Sequence, residues 1–150
     1  VARAVIDVAR ALEREADPVV RQRLAQLAAL EEVNRLQGLR AAAPAGGARQ
    51  GSGAAGSVRK VARSNLARLG SDVGMEVLGA HGMLVGPDTP GGGRLQRMAL
   101  STPGTSIAGG TDEIQRNIIG ERVLGLPKEP RLDVDVPFRE LKTGTQSEQQ

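Results

Sequence analysis

Gly109, Gly110 and Thr111, followed by Asp112 and Glu113, are the residues whose order could serve chemistry. Two successive glycines turn the main chain sharply, and without Cβ they let a flat ring or a diphosphate come close. Thr111 can cap the helix that follows by accepting from an amide one turn in. The outward-pointing amides of that first turn suit an anion or a polarised carbonyl. Asp112 and Glu113 put negative charge at the positive end of the helix dipole. An ordinary loop-to-helix junction with no ligand has the same local pattern. Ile114, Ile118, Ile119 and Val123 give the helix an apolar stripe, and Gly125 and Pro127 end it.

Other chemistry is sparse. His81 is the only histidine, and its simplest role is at a helix C-terminus, near free carbonyls. With no Cys, disulfides and thiol catalysis are excluded, and a structural zinc site lacks ligands. The one aromatic, Phe138, offers no stacking surface for single-stranded nucleic acid. The net charge of +3 is unevenly placed. Residues 41 to 70 carry Arg49, Arg59, Lys60, Arg63 and Arg68 and no acid, while the other fifteen basic residues face 17 acids. That run could attract an anionic cofactor; nucleic acid is the rival, and a solvated helix face the ordinary outcome. No signal peptide is visible, and no apolar run approaches the roughly 20 residues of a membrane span. The expected compartment is therefore the cytoplasm, with neither membrane nor nucleic acid as partner.

The elements that must position the glycine turn are all helical. Val1, Val5, Val8 and Leu12 share a face of a helix over 1–15. Asp17-Pro18 reads as the start of a second helix, over 18–43. Its leucines step by three, so they walk round the helix and call for neighbours on more than one side. Residues 44–56 read as a loop. Ser57 would cap a third helix over 57–80, in which Gly70 and Gly74 mark a close helix crossing. Residues 83–93 read as a loop, and 94–101 as a short helix with Leu95, Met98 and Ala99 inward, stopped by Pro103 and Gly104. No strand alternation appears. The expectation is an all-α, up-down four-helix bundle over 1–127, then a tail over 128–150, with most of its last ten residues disordered. Val1 falls inside an apolar helical pattern, as in a piece of a longer protein.

The stretch Ile107-Ala108-Gly109-Gly110-Thr111-Asp112-Glu113-Ile114-Gln115-Arg116 resembles a signature of the acyl-CoA dehydrogenases, Ile-x-Glu-Gly-Thr-x-x-Ile-Gln-Arg, which starts the last long helix of their C-terminal bundle. The continuation Gly120 to Pro130 is similar to the bacterial, especially actinobacterial, branch. The resemblance covers about residues 1 to 141. It implies a C-terminal helical domain, without the preceding helical and β domains, that takes part in dimer and tetramer contacts. It also implies FAD as cofactor, an acyl-CoA thioester oxidised between Cα and Cβ, and an electron-transfer acceptor.

By the same resemblance, Gly110 meets the thioester region through its main chain, and Thr111 and Glu113 lie at the cofactor. Glu13-Arg14 matches the start of the family's Glu-Arg-x-x-Phe-Gly, whose Arg meets the flavin diphosphate across the dimer. The Phe and Gly are replaced here by Asp17 and Pro18. Glu76 to Gly82 matches a Gln-x-x-Gly-Gly-x-Gly junction that reaches the flavin held mainly by a neighbouring subunit. Gly79 and Gly82 are kept, but Glu76 stands where Gln is usual and Ala80 where Gly is usual. A carboxylate there would repel a diphosphate. The family's base is often the Glu before Gly-Thr; here that position is Gly109, so no catalytic residue is assigned. Two roles follow: part of an active dehydrogenase whose base lies upstream, or a non-catalytic subunit that assembles with an active one.

Overall fold

The computed structural model describes residues 1–42, 53–128 and 136–140. Five helices make up the described chain: α1 (Ala2–Ala11), α2 (Pro18–Ala42), α3 (Gly53–Leu78), α4 (Arg94–Ile107) and α5 (Asp112–Arg122). No strand occurs among the described residues. None of the helices described is long and apolar enough to cross a membrane.

α3 is the central helix, packed by all four others. Pair contacts give the directions. Ala2 N–H donates to Glu31 at 3.0 Å, so α1 runs against α2. Arg23 meets Glu76 while Asn34 meets the Ala62 carbonyl, so α2 runs against α3. Leu95 lies at Gly74 while Thr105 lies at Ser64, so α4 runs against α3. The first four helices therefore alternate up and down, and α5 crosses the N-terminal half of α3.

The core is built where the apolar faces coincide. Val5, Val8 and Ala9 of α1 meet Val20, Leu24 and Leu27 of α2, Val73, Val77 and Leu78 of α3, and Leu95 of α4. Burying a side chain such as Leu27 contributes about 2 kcal/mol. α4 packs at Gly74, where a Cβ would make ordinary contact, 3.6 Å from Leu95 Cδ1 and Met98 Cε. A Cβ on Gly70 would overlap Val1 Cγ1, so of the two glycines Gly70 marks the close crossing.

Four boundaries differ from the sequence reading. α1 stops at Ala11; Glu13 takes a left-handed backbone (φ 53°) and turns the chain into a short 3-10 turn, Arg14–Ala16. α3 begins at Gly53, so Ser57 is a buried interior residue and not its cap. His81 lies in a 3-10 turn, Gly79–Met83, with Ala80 exposed beyond the end of α3. α4 runs through Pro103 and Gly104 to Ile107. Proline removes one amide donor from a helix interior, which usually ends it. Here the Thr102 hydroxyl donates to Met98 O and the Thr105 hydroxyl to Thr102 O, while α3 holds the carbonyls of Thr105 and Ser106. Packing overrides the local signal.

Other expectations hold. Asp17 caps α2, its carboxylate accepting from Val19 N–H at 2.8 Å. Leu95 is buried and Met98 packs on the core. α2 buries Val20, Leu24 and Leu27 but leaves Val33, Leu36 and Leu39 about half exposed, so part of its apolar walk is only partly covered by the described residues. Most of the expected 44–56 loop and most of the 128–150 tail, including its last ten residues, lie outside the described residues.

Candidate functional site

The glycine turn is an exposed hinge between α4 and α5. Gly109 (φ 68°) and Gly110 (φ 89°) both take left-handed backbone that a side chain would strain. Thr111 caps α5, its hydroxyl accepting from Ile114 N–H at 3.3 Å. Gln115 folds back and donates to the Gly109 carbonyl at 2.9 Å. The two glycines are not equally open. Nothing lies within 4 Å of a Cβ placed on Gly109, whereas Gln115 Nε2 lies 2.7 Å from one on Gly110. A close approach at Gly110 therefore uses its main-chain edge or displaces Gln115.

The two acids after Thr111 have different fates. Glu113 is exposed, and its own backbone amide, then the Thr111 hydroxyl, hold its carboxyl below the usual carboxylate range. Asp112 is buried, at 2% exposure. Lys60 donates to it at 2.6 Å and Arg68 at 2.8 Å. The hydrogen bond from Lys60 is the chief cause that holds its carboxyl far below the usual range; Ser64 and Arg68 add to this against the cost of burial. Neither acid is poised as a base, which would need a raised pKa. Gly109 has no side chain to offer either.

The acid-free basic run is divided by this arrangement. Lys60 and Arg68 turn onto Asp112, so the field from the run is weaker than its charge count implies. Arg59 and Arg63 line a cleft of about 520 Å³ with Glu31, Asn34, Arg35 and the flank of Lys60. Arg49 lies outside the described residues.

Arg14 and Gly79, far apart in sequence, come together. Arg14 Nη1 lies 3.9 Å from where a Gly79 Cβ would stand, and Gly79 has φ 52°. Arg14 also faces Asp17, at 3.9 Å. Gln96, buried at the start of α4, donates to the His81 carbonyl at 3.1 Å and so ties the 79–83 turn to the bundle. Glu76 does not stand as a bare charge: Arg23 of α2 donates to it at 3.2 Å. The repulsion expected of that carboxylate is thus offset within the chain.

The five site residues therefore form two patches. Gly110, Thr111 and Glu113 lie beside the Lys60–Arg68 level of α3, and Arg14 and Gly79 at its C-terminal end. At 1.5 Å per residue the two levels are about 22 Å apart along the helix. The Asp112 cluster and the Arg23–Glu76 pair are the contacts that sequence reasoning missed. The unbalanced charge of residues 41–70 was a sequence signal for the first, through Lys60 and Arg68, and the second had none.

The family model described as "Acyl-CoA dehydrogenase, C-terminal domain" matches residues 1–124. Acyl-CoA dehydrogenase IpdE1 of Mycobacterium tuberculosis is 35% identical over 127 residues, which is 85% of this chain and 32% of that protein. Acyl-CoA dehydrogenase IpdE1 of Mycolicibacterium smegmatis is 34% identical over 125 residues, 83% of this chain and 30% of that protein. The chain thus spans about a third of the length of these curated relatives. The crystal structure of the ChsE4-ChsE5 complex from Mycobacterium tuberculosis has a similar fold, with TM-score 0.66 and 29% identity, over 85% of this chain and 37% of that one. Fold, hinge signature and family match agree: the chain belongs to the acyl-CoA dehydrogenase family, as its C-terminal helical domain.

Proposed function

We propose that this chain is the C-terminal domain of a flavin-dependent acyl-CoA dehydrogenase that acts on the Cα–Cβ bond of an acyl-CoA thioester. One observation carries the reading: the family's signature turn forms an exposed hinge in which Gly109 stands open and Gly110 offers its main-chain edge. In this reading residues 1–127 form the domain.

The residues present fit FAD. A Cβ on Gly79 would fill the space beside the Arg14 guanidinium, and Arg23 offsets the charge of Glu76 near that end. Arg14 and Gly79 would hold the diphosphate of one flavin, and Thr111 and Glu113 would face another, which suits the wide separation of the patches. When bound, the flavin supplies the hydride acceptor. The Gly110 main chain orients the thioester carbonyl, and Thr111 fixes the direction of the first amides of α5. No group at the hinge takes the α-proton, so the base comes from another part of the assembled protein. An electron-transfer acceptor would reoxidise the flavin.

A second reading is favoured by the bare Gly109 and by the neighbour, which is itself a complex of two different proteins. In that reading the chain is a non-catalytic assembly subunit of a heteromeric dehydrogenase. The half-exposed apolar face of α2 suits homo- or hetero-oligomeric contacts. Both readings place the protein in the cytoplasm.

An absorption spectrum and subunit analysis of the chain expressed with its flanking coding region test both. Equimolar flavin in a homomer supports the active-enzyme reading. A colourless chain that gains flavin only beside a second polypeptide supports the assembly reading. Absence of flavin in every assembly would sink the proposal.

A further inference from the structure

We propose that Lys60 and Arg68 are positioning residues for the hinge, gripping the chain on both sides of Gly109-Gly110 and so fixing how the turn is presented. The claim deepens the ligand-contact reading of the hinge and rests on it. On the near side, Lys60 Nζ donates to the Ser106 carbonyl at 2.9 Å, and Arg68 to the Ser106 hydroxyl at 2.6 Å. On the far side both donate to Asp112. Ser64, between them, donates to the Thr105 carbonyl at 3.2 Å.

Lys60, Ser64 and Arg68 stand four apart, so they share one face of α3. That face spans the gap from α4 to α5. The five residues between the gripped positions, 107 to 111, include the two left-handed glycines. Beyond the ladder of α4, their local hydrogen bonds include Ala108 N–H to Gly104 O, Gln115 N–H to Thr111 O, Ile114 N–H to the Thr111 hydroxyl, and the Gln115 side chain to Gly109 O. A pair of glycines is the freest of dipeptides, so its geometry is imposed by its ends. An acid serving only the helix dipole would stand in solvent, as Glu113 does at 76% side-chain exposure. Asp112 is instead taken out of water and held by two cations, a contact that is stiff because breaking it would leave charge buried.

Backbone amide exchange tests this on residues 1–150. Asp112→Asn, Lys60→Met and Arg68→Met should each speed exchange at Ala108, Ile114 and Gln115 by about tenfold or more, while Val73 to Leu78 stay unchanged. Lys60→Arg, which keeps the charge, should recover most of the protection. The proposal is overturned if the flanking amides move by less than about twofold, or if the α3 core loosens to the same degree. Arg68 is partly exposed, so Arg68→Met answers the question even if Asp112→Asn fails to fold. Flavin retention in the assembled protein separates the two ideas. A loosened hinge with unchanged flavin and acyl-CoA affinity would sink the ligand-contact reading and leave positioning intact; an unloosened hinge would sink positioning alone.

Discussion

Arg23 on α2 donates to Glu76 on α3 at 3.2 Å, across the antiparallel helix pair. Both side chains are about a third exposed, so the pair adds little to stability, of order 0–1 kcal/mol. Its larger effect is on local potential, near the turn that carries Gly79. Arg23→Gln should therefore weaken flavin retention in the assembled protein by about threefold to tenfold at low salt, less at high salt. Glu76→Gln should not weaken it. Fluorescence titration of released flavin checks both, and equal losses in the two variants would argue against the electrostatic account.

Asp112 sets an acid-side stability limit. Its carboxyl is depressed in the folded chain, chiefly by Lys60, so its contribution is present above the unfolded carboxylate pKa of about 3.9. It is lost as pH falls through the folded value, which lies far lower. The stability difference between wild type and Asp112→Asn should be flat from about pH 5 to 8 and shrink below about pH 4. At neutral pH the variant should lose about 3 kcal/mol, the low end for a broken buried pair, because Arg68 keeps access to water. Urea melts across pH measure this, and a difference that grew in acid would have the wrong sign.

Gly74 and Gly91 should respond oppositely to alanine. Gly74 is helical, and a Cβ there makes ordinary contact at 3.6 Å, so Gly74→Ala should stabilise by about 0.5–1 kcal/mol. Gly91 has φ 69°, and its Cβ would come 2.7 Å from Val8 Cγ2. Gly91→Ala should cost about 1–3 kcal/mol through backbone strain and overpacking. Thermal denaturation of the two variants against wild type reads the sign directly.

What was legible in the sequence was local. Asp17 and Thr111 cap their helices because capping depends on amides within one turn. The face of Val5 and Val8 is buried because helical period alone aligns it. What was not legible depended on contacts between distant residues. Pro103 reads as a stop, yet α4 continues because α3 holds its last carbonyls. Asp112 reads as a dipole acid, yet it is a buried anion because Lys60, 52 residues away, reaches it. The stripe expected on α5 is only partly covered, and Val123 falls one residue past the helix end at Arg122. Its middle, Ile118 and Ile119, is partly buried, and its edges, Ile114 and Val123, stay open. At the site, the order Gly-Gly-Thr located the hinge, but only geometry showed that Gln115 covers Gly110 and that Gly109 is the open one.

The α2 face offers the sharpest test of assembly. Val33, Leu36 and Leu39 step by three residues, so each lies about 60° from the last and the trio covers one side of the helix. Their exposures of 48%, 50% and 56% mean that the described residues leave this side half in water. Apolar residues grouped on one side of a helix are candidate contact surface for a partner. Leu36→Glu combined with Leu39→Glu should therefore change the monomer's thermal stability little, since neither side chain is in the core. It should lower the mass of the native assembly in light scattering, because two carboxylates would be desolvated at the contact. A variant that kept its native mass would show that the contact surface lies elsewhere. A variant that lost helix content before losing mass would show that the face is needed by the fold itself.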